Sequence, residues 1–132
     1  MRIIVIVDAN IILSALLGGK PSSILFDSRF QFVTTQFTLS EVKKYLPRLE
    51  KKLRVPQKEL IFLLSQLPLR VHGRDFYKDK VEKAKKMIAH IDREDVDILA
   101  LALKFETYLW SQDKDFEKAG YQKLLKTYDF LS

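Results

Sequence analysis

Apolar residues in this chain fall into short unbroken runs separated by segments of helical period. "IIVIV" (Ile3–Val7) has no polar position, as expected of a strand buried on both faces of a parallel sheet, and the predicted strand covers Arg2–Val7. Asn10–Leu17 reads as a helix stopped by Gly18 and Gly19, and Pro21-Ser22-Ser23 opens a short helix to about Asp27. "FQFVTT" (Phe30–Thr35) is alternating and β-branched, a second strand. A longer helix is predicted from Thr38 toward Leu53, interrupted or kinked at Pro47. Another spans Pro56–Leu67, with Leu60, Leu63, Leu64 and Leu67 at helical spacing. "LRVH" (Leu69–His72) is a third strand, and Tyr77–Ala89 a helix with one strongly basic side. Glu94–Phe105 contains "ILALAL", apolar almost all round, which marks a buried helix. "TYLWS" (Thr107–Ser111) and "LLKTYDFL" (Leu124–Leu131) supply a fourth and a fifth strand. Strands alternating with helices predict an α/β fold, a three-layer sandwich around a mainly parallel sheet of about five strands. Its crossovers are right-handed. No repeat or Pro/Gly-rich linker interrupts the chain, so a single domain over residues 1–132 is expected.

Such a fold gathers ligands at the carboxyl ends of its strands, and acids stand there. Asp8 follows the first strand, and Asp113 follows the fourth through "WSQDKDF". Glu41 in "TLSEV" and Asp95 in "DREDVDILALAL" fall in the first turns of predicted helices. Local structure accounts for the second pair: Thr38-x-x-Glu41 matches a capping box, and acids at Asp92 and Asp95 suit a helix dipole. Capping does not explain why Asp8 and Asp113 terminate apolar strands. Four converging carboxylates repel one another, no Lys or Arg adjoins Asp8, and burying such charge uncompensated is costly. A hard divalent cation, Mg²⁺ or Mn²⁺, resolves the conflict. No His/Cys spacing suggests zinc, and His72 and His90 stand alone as surface or core residues. Helical phase selects Asp95, which aligns with Leu99 and Ala102 on an inward face. Asp97 aligns with Leu101 and Lys104, a direction that can reach solvent, and Asp92 precedes the helix. Asp115 is expected to support Asp113 or to cap the helix that begins "FEKAG".

Charge adds a partner class. The 132 residues carry 23 Lys and Arg against 17 Asp and Glu, a net +6. A polyanion, nucleic acid first, is the expected partner, although Lys-rich helix faces alone also serve solubility. Cysteine is absent, in keeping with a reducing compartment, and a cytoplasmic chain is expected. The apolar run before Asp8 is far below the roughly 20 residues of a membrane span, so no membrane association is expected.

"IVDANI", "TLSEV", "DREDVDILALAL" and "LWSQDKDF", in this order and spacing over essentially the whole chain, resemble the PIN-domain family. The likeness is strongest to its small stand-alone prokaryotic members, which include VapC-type toxins. The resemblance implies a Rossmann-like PIN fold and a Mg²⁺- or Mn²⁺-dependent endoribonuclease that hydrolyses RNA phosphodiester bonds. It assigns Asp8, Glu41, Asp95 and Asp113 to the family's acidic quartet, with Asp8, Asp95 and Asp113 as the main metal ligands. Asn10 and Ser111 match polar positions beside those acids. The third motif is acid-rich, which leaves Asp92 and Asp97 as alternatives to Asp95. One or two metals would serve. The resemblance further implies an RNA partner, a homodimer and, for a toxin, a cognate antitoxin. An open groove favours single-stranded RNA. Lys43, Lys44, Arg48, Lys51 and Lys52 either guide its backbone or form a solvated helix face, and Tyr45 and Trp110 either stack on bases or belong to the core. Two other classes remain: a phospho-acceptor signalling domain, which lacks an acceptor acid after "FQFVTT" or "LRVH", and a non-catalytic PIN-like binding module, against which the complete quartet argues.

Overall fold

In the computed structural model, residues 1–131 are described. Strands β1 (Ile3–Val7), β2 (Phe30–Thr35), β3 (Leu69–His72), β4 (Tyr108–Trp110) and β5 (Leu124–Leu125) form one sheet in the order β3-β2-β1-β4-β5. Every pairing is parallel. β1 is central, which explains why its run has no polar position. Alternate residues feed two cores. Val5, Val7, Phe32 and Trp110 pack on one face, and Ile6, Val33 and Leu109 on the other.

Nine helices among the described residues cover the sheet. Helices α1 (Ala9–Leu16), α2 (Pro21–Leu25), α3 (Gln36–Lys44), α4 (Leu46–Leu53) and α5 (Gln57–Gln66) contribute Ile12, Leu25, Val42, Leu46 and Leu60 to the first core. Helices α6 (Arg74–Tyr77), α7 (Val81–Ile88), α8 (Val96–Phe105) and α9 (Asp115–Lys118) contribute Tyr77, Ala84, Leu99 and Phe116 to the second. α1 ends where expected, because Gly18 at φ +81° takes the left-handed position that closes a helix. None of the helices is long and apolar enough to cross a membrane.

Several expected boundaries shift, each for a local reason. The helix from Thr38 is interrupted, as one of the two expected alternatives has it, but at Tyr45, with Pro47 in the first turn of α4, where its missing N–H costs nothing. α3 starts directly after β2. Thr35 ends the strand and caps the helix, its Oγ1 accepting from the Thr38 N–H at 2.8 Å. Glu41 therefore lies within α3 and takes no part in a capping box. The helix expected at Tyr77–Ala89 is α6, a short 3₁₀ segment (Lys78–Lys80) and α7. The fifth strand stops at Leu125: Asp129 Oδ2 accepts from the Lys126 N–H at 2.7 Å and curls the chain into a 3₁₀ turn, Thr127–Phe130. That turn seats Phe130 against Trp110, ring centroids 4.5 Å apart.

The sheet order reverses direction at β1, between β2 on one side and β4 on the other. A crevice forms at the carboxyl edge of such a switch point.

Candidate metal centre

The sequence delivers carboxylates to this edge from several elements. Asp8 leaves β1 and caps α1, Oδ1 accepting from the Ala9 N–H at 2.7 Å. Its own N–H donates to the Trp110 carbonyl at 3.2 Å, one residue before Ser111. Ser111 Oγ then donates to Asp8 Oδ2 at 2.6 Å and accepts the Asp113 N–H at 3.0 Å. Asp113 Oδ1 in turn accepts from the Asp115 N–H at 2.9 Å. This chain of bonds fixes the ends of β1 and β4 relative to each other, so the backbone itself holds Asp8, Asp113 and Asp115 close.

Asp92, Asp95 and Glu94 come from the turn before α8. Asp92 Oδ1 accepts from the Glu94 N–H at 2.9 Å and starts a 3₁₀ turn (Arg93–Asp95) that aims Asp95 inward. Asp8, Glu41, Asp92, Glu94, Asp95 and Asp113 line one cleft of about 140 Å³. Glu41 is paired with Lys44 at 2.9 Å, and among the described residues no Lys, Arg or His lines the space.

The electrostatics record the crowding. Asp95 is 8% exposed, and burial, followed by the charges of Asp8, Asp92, Asp113 and Asp115, pushes its pKa up to about 8. Asp8 is raised by burial as well, against the lowering effect of the Ser111 and Ala9 bonds, with Asp113 and Asp92 adding to the rise. Glu94 is raised chiefly by the charge of Glu41. Asp95 Oδ2 is buried with no hydrogen-bond partner in the structure, which is uncommon for a buried polar atom and calls for a specific cause. Asp92, Asp95 and Asp115 can each bring one oxygen to within 4.8 Å of the others. The donor set is all hard oxygen, the orphaned oxygen sits within it, and the excess is negative charge. These residues fit a Mg²⁺-like cation.

Asp8, Glu41, Asp95 and Asp113, expected from the sequence, do converge on one cleft. Ser111 is hydrogen-bonded to both strand-end acids, as expected of a polar neighbour. Asn10 is exposed and lines the same cleft, while the bonds to Asp8 come from Ala9 and Ser111. Asp92 and Asp115 stand closer to Asp95 than sequence reasoning placed them, and the signal for both was their spacing of two or three residues from a motif acid. Asp97 departs from expectation. It is 8% exposed, accepts the Tyr77 hydroxyl at 2.5 Å and faces Arg74 at 3.6 Å, because α6 covers the side of α8 expected to meet solvent. Tyr45 is also outside the core, 42% exposed on the cleft wall. Trp110 is fully buried, its Nε1 donating to Thr127 Oγ1 at 3.1 Å. His72 is half-buried and stacks on Phe76, and His90 is exposed, both away from the acids.

The sequence model of the PIN domain matches residues 6–128. No curated protein matches the chain by sequence. Among solved structures, VapBC2 from Rickettsia felis, bound to a DNA fragment from its promoter, aligns with a TM-score of 0.68 and 14% identity, over 94% of this chain and 98% of that one. A toxin–antitoxin complex from Klebsiella pneumoniae aligns with a TM-score of 0.69 and 18% identity, over 94% and 98%. VapC20 of Mycobacterium tuberculosis, a toxin that cleaves the sarcin–ricin loop, aligns with a TM-score of 0.64 and 16% identity, over 90% and 97%.

Proposed function

The chain belongs to the PIN-domain family, and we propose that it is a Mg²⁺- or Mn²⁺-dependent endoribonuclease acting on single-stranded RNA. The observation that carries this is Asp95, buried with an unpartnered oxygen among carboxylates of which, among the described residues, only Glu41 is ion-paired. Asp8, Asp95 and Asp113 would hold the cation, with Asp92 and Asp115 in reach of the same position. A divalent ion there supplies activation of water and compensation for charge developing on the phosphate oxygens. Ser111 keeps Asp8 and Asp113 in fixed orientation. Glu41, in the same cleft and paired to Lys44, is the group available to orient the attacking water or receive its proton. The exposed ring of Tyr45 offers a stacking surface for an unpaired base.

Cleavage of single-stranded RNA is expected with Mg²⁺ or Mn²⁺ and not with a chelator, and Asp8→Asn is expected to be inactive. Intact RNA under every divalent metal would overturn the reading, and equal cleavage by Asp8→Asn would overturn the site assignment.

The neighbours of this fold that are toxins or toxin–antitoxin complexes support a role as the toxin of such a pair. Ile61, Phe62 and Leu63 remain exposed around α5, large apolar side chains of the kind that protein partners cover. We assign them to self-association, with a small antitoxin as a second partner. Solution mass measurement is expected to give a dimer that Phe62→Asp converts to monomer. A wild-type monomer at micromolar concentration overturns the dimer. Failure of the product of the adjoining reading frame to bind or inhibit the chain overturns the toxin role.

A further inference from the structure

We propose that a second cleft, behind the acid-bearing turn, is a backbone track for the single-stranded RNA substrate; this rests on the nuclease reading above. Residues 92–98 form a ridge with two unlike sides. Asp92, Glu94, Asp95 and Ile98 face the acidic cleft. Arg93, Val96 and Asp97 face a neighbouring cleft of about 300 Å³, which Arg74, Lys85 and Ala89 complete.

Charge reverses across that ridge. The second cleft holds three cations and one carboxylate, and the carboxylate is already engaged by the Tyr77 hydroxyl and by Arg74. Arg93 is exposed and has no ion-pair partner among the described residues. Lys85 meets Glu82 at 3.4 Å in an exposed pair, and pairs of that kind are worth little against a competing anion. Arginine at such a position presents a planar fork suited to phosphate oxygens.

Distance makes the pairing useful. A helical ridge is about 10 Å across with its side chains, and a stacked strand advances roughly 3.4 Å per nucleotide. A strand with its reacting phosphate in the acidic cleft thus carries phosphates about three nucleotides away over Arg93 and Lys85. The carboxylates that must collect a cation also repel the rest of the polyanion, and this row of cations offsets that repulsion next to the site. Other basic surfaces are placed less well. Lys44 is paired with Glu41, and the cleft that contains Lys83 and Lys123 adjoins residues that precede β4 and β5, at the opposite edge of the sheet.

The test uses full-length chain carrying Asp8→Asn, a short labelled single-stranded RNA, and binding measured over a series of salt concentrations. Adding Arg93→Ala and Lys85→Ala together is expected to weaken binding about tenfold and to lower the slope of log K against log salt by about 0.7 for each phosphate no longer neutralised. Adding Lys83→Ala and Lys123→Ala instead is expected to change neither. In the active chain, Arg93→Ala is expected to raise KM and leave kcat. Unchanged affinity and slope in the Arg93/Lys85 pair, or equal losses in both pairs, overturns the track while metal-dependent cleavage leaves the nuclease reading standing. Wild type that neither binds nor cleaves RNA overturns both.

Discussion

Asp95→Asn is expected to abolish RNA cleavage and, in the same protein, to raise the melting temperature of the metal-free chain at pH 8. The two effects have one source. Asp95 is the buried carboxylate whose Oδ2 finds no hydrogen-bond donor, and burial together with four neighbouring acids pushes its pKa up to about 8. Asparagine keeps the shape and removes the charge. Loss of a group that supports a metal ligand costs about 10–100-fold, and loss of the ligand itself is expected to exceed that, to at least about 1,000-fold in kcat. Stability moves the other way, because the charged form is the one the fold resists. In a chain of this size each kcal/mol regained is worth roughly 3–6 °C. Initial rates with Mn²⁺ and thermal melts with chelator on the same preparation check both halves. A variant that loses activity and also melts lower at pH 8 would point to simple misfolding and remove repulsion as the cause. Retained cleavage would move the centre to other acids of the cleft.

The fold was legible because its signals are local and redundant. The unbroken run of β1 and the "ILALAL" of α8 each require burial on more than one side, and with alternating strands and helices that leaves few architectures. Asp8 and Asp113 were legible for a related reason: each closes an apolar strand, and parallel strands bring their ends to one edge. Glu41 lines the same cleft as Asp8, Asp95 and Asp113, but not from the first helical turn, since Thr35, serving as strand end and helix cap at once, leaves no loop for the pattern to mark. Asp97 was misjudged because α6 is four residues long and too short to announce itself, so nothing in the sequence revealed that Tyr77 and Arg74 would cover that side of α8. Asp92 and Asp115 were visible as acids, but their approach to Asp95 depends on side-chain directions in a 3₁₀ turn and a one-turn helix, which periodicity does not encode.

Between about pH 6.5 and about pH 8.5 the metal-free chain is expected to lose stability as pH rises, and Mn²⁺ is expected to reverse that loss. The sign follows from Asp95. Its pKa is about 8 when folded and near 3.9 in an unfolded chain, so over the interval between those values the folded state binds more protons. Stability then falls with pH, from its full value below about pH 4 to its least above about pH 8. Burial of Asp8 acts in the same direction. His72, whose pKa burial lowers, acts in the opposite direction below about pH 6.5, which is why the comparison begins there. The carboxylates with lowered values, Asp27 and Asp79, titrate below this range. A divalent cation selects the deprotonated cluster, so protons compete with it and its benefit grows with pH. At a hundredfold excess over Kd it adds about 2.7 kcal/mol, a rise on the order of 10 °C in this chain. Melts with and without Mn²⁺ at several pH values, on wild type and Asp95→Asn, decide the matter. Wild type should show both the downward slope and the metal-induced rise, and the variant should lose most of each. A metal-free stability that climbs over this range would remove Asp95 as the dominant titrating group. No shift with Mn²⁺ at pH 8 would instead favour a PIN-like module that binds its partner without metal chemistry.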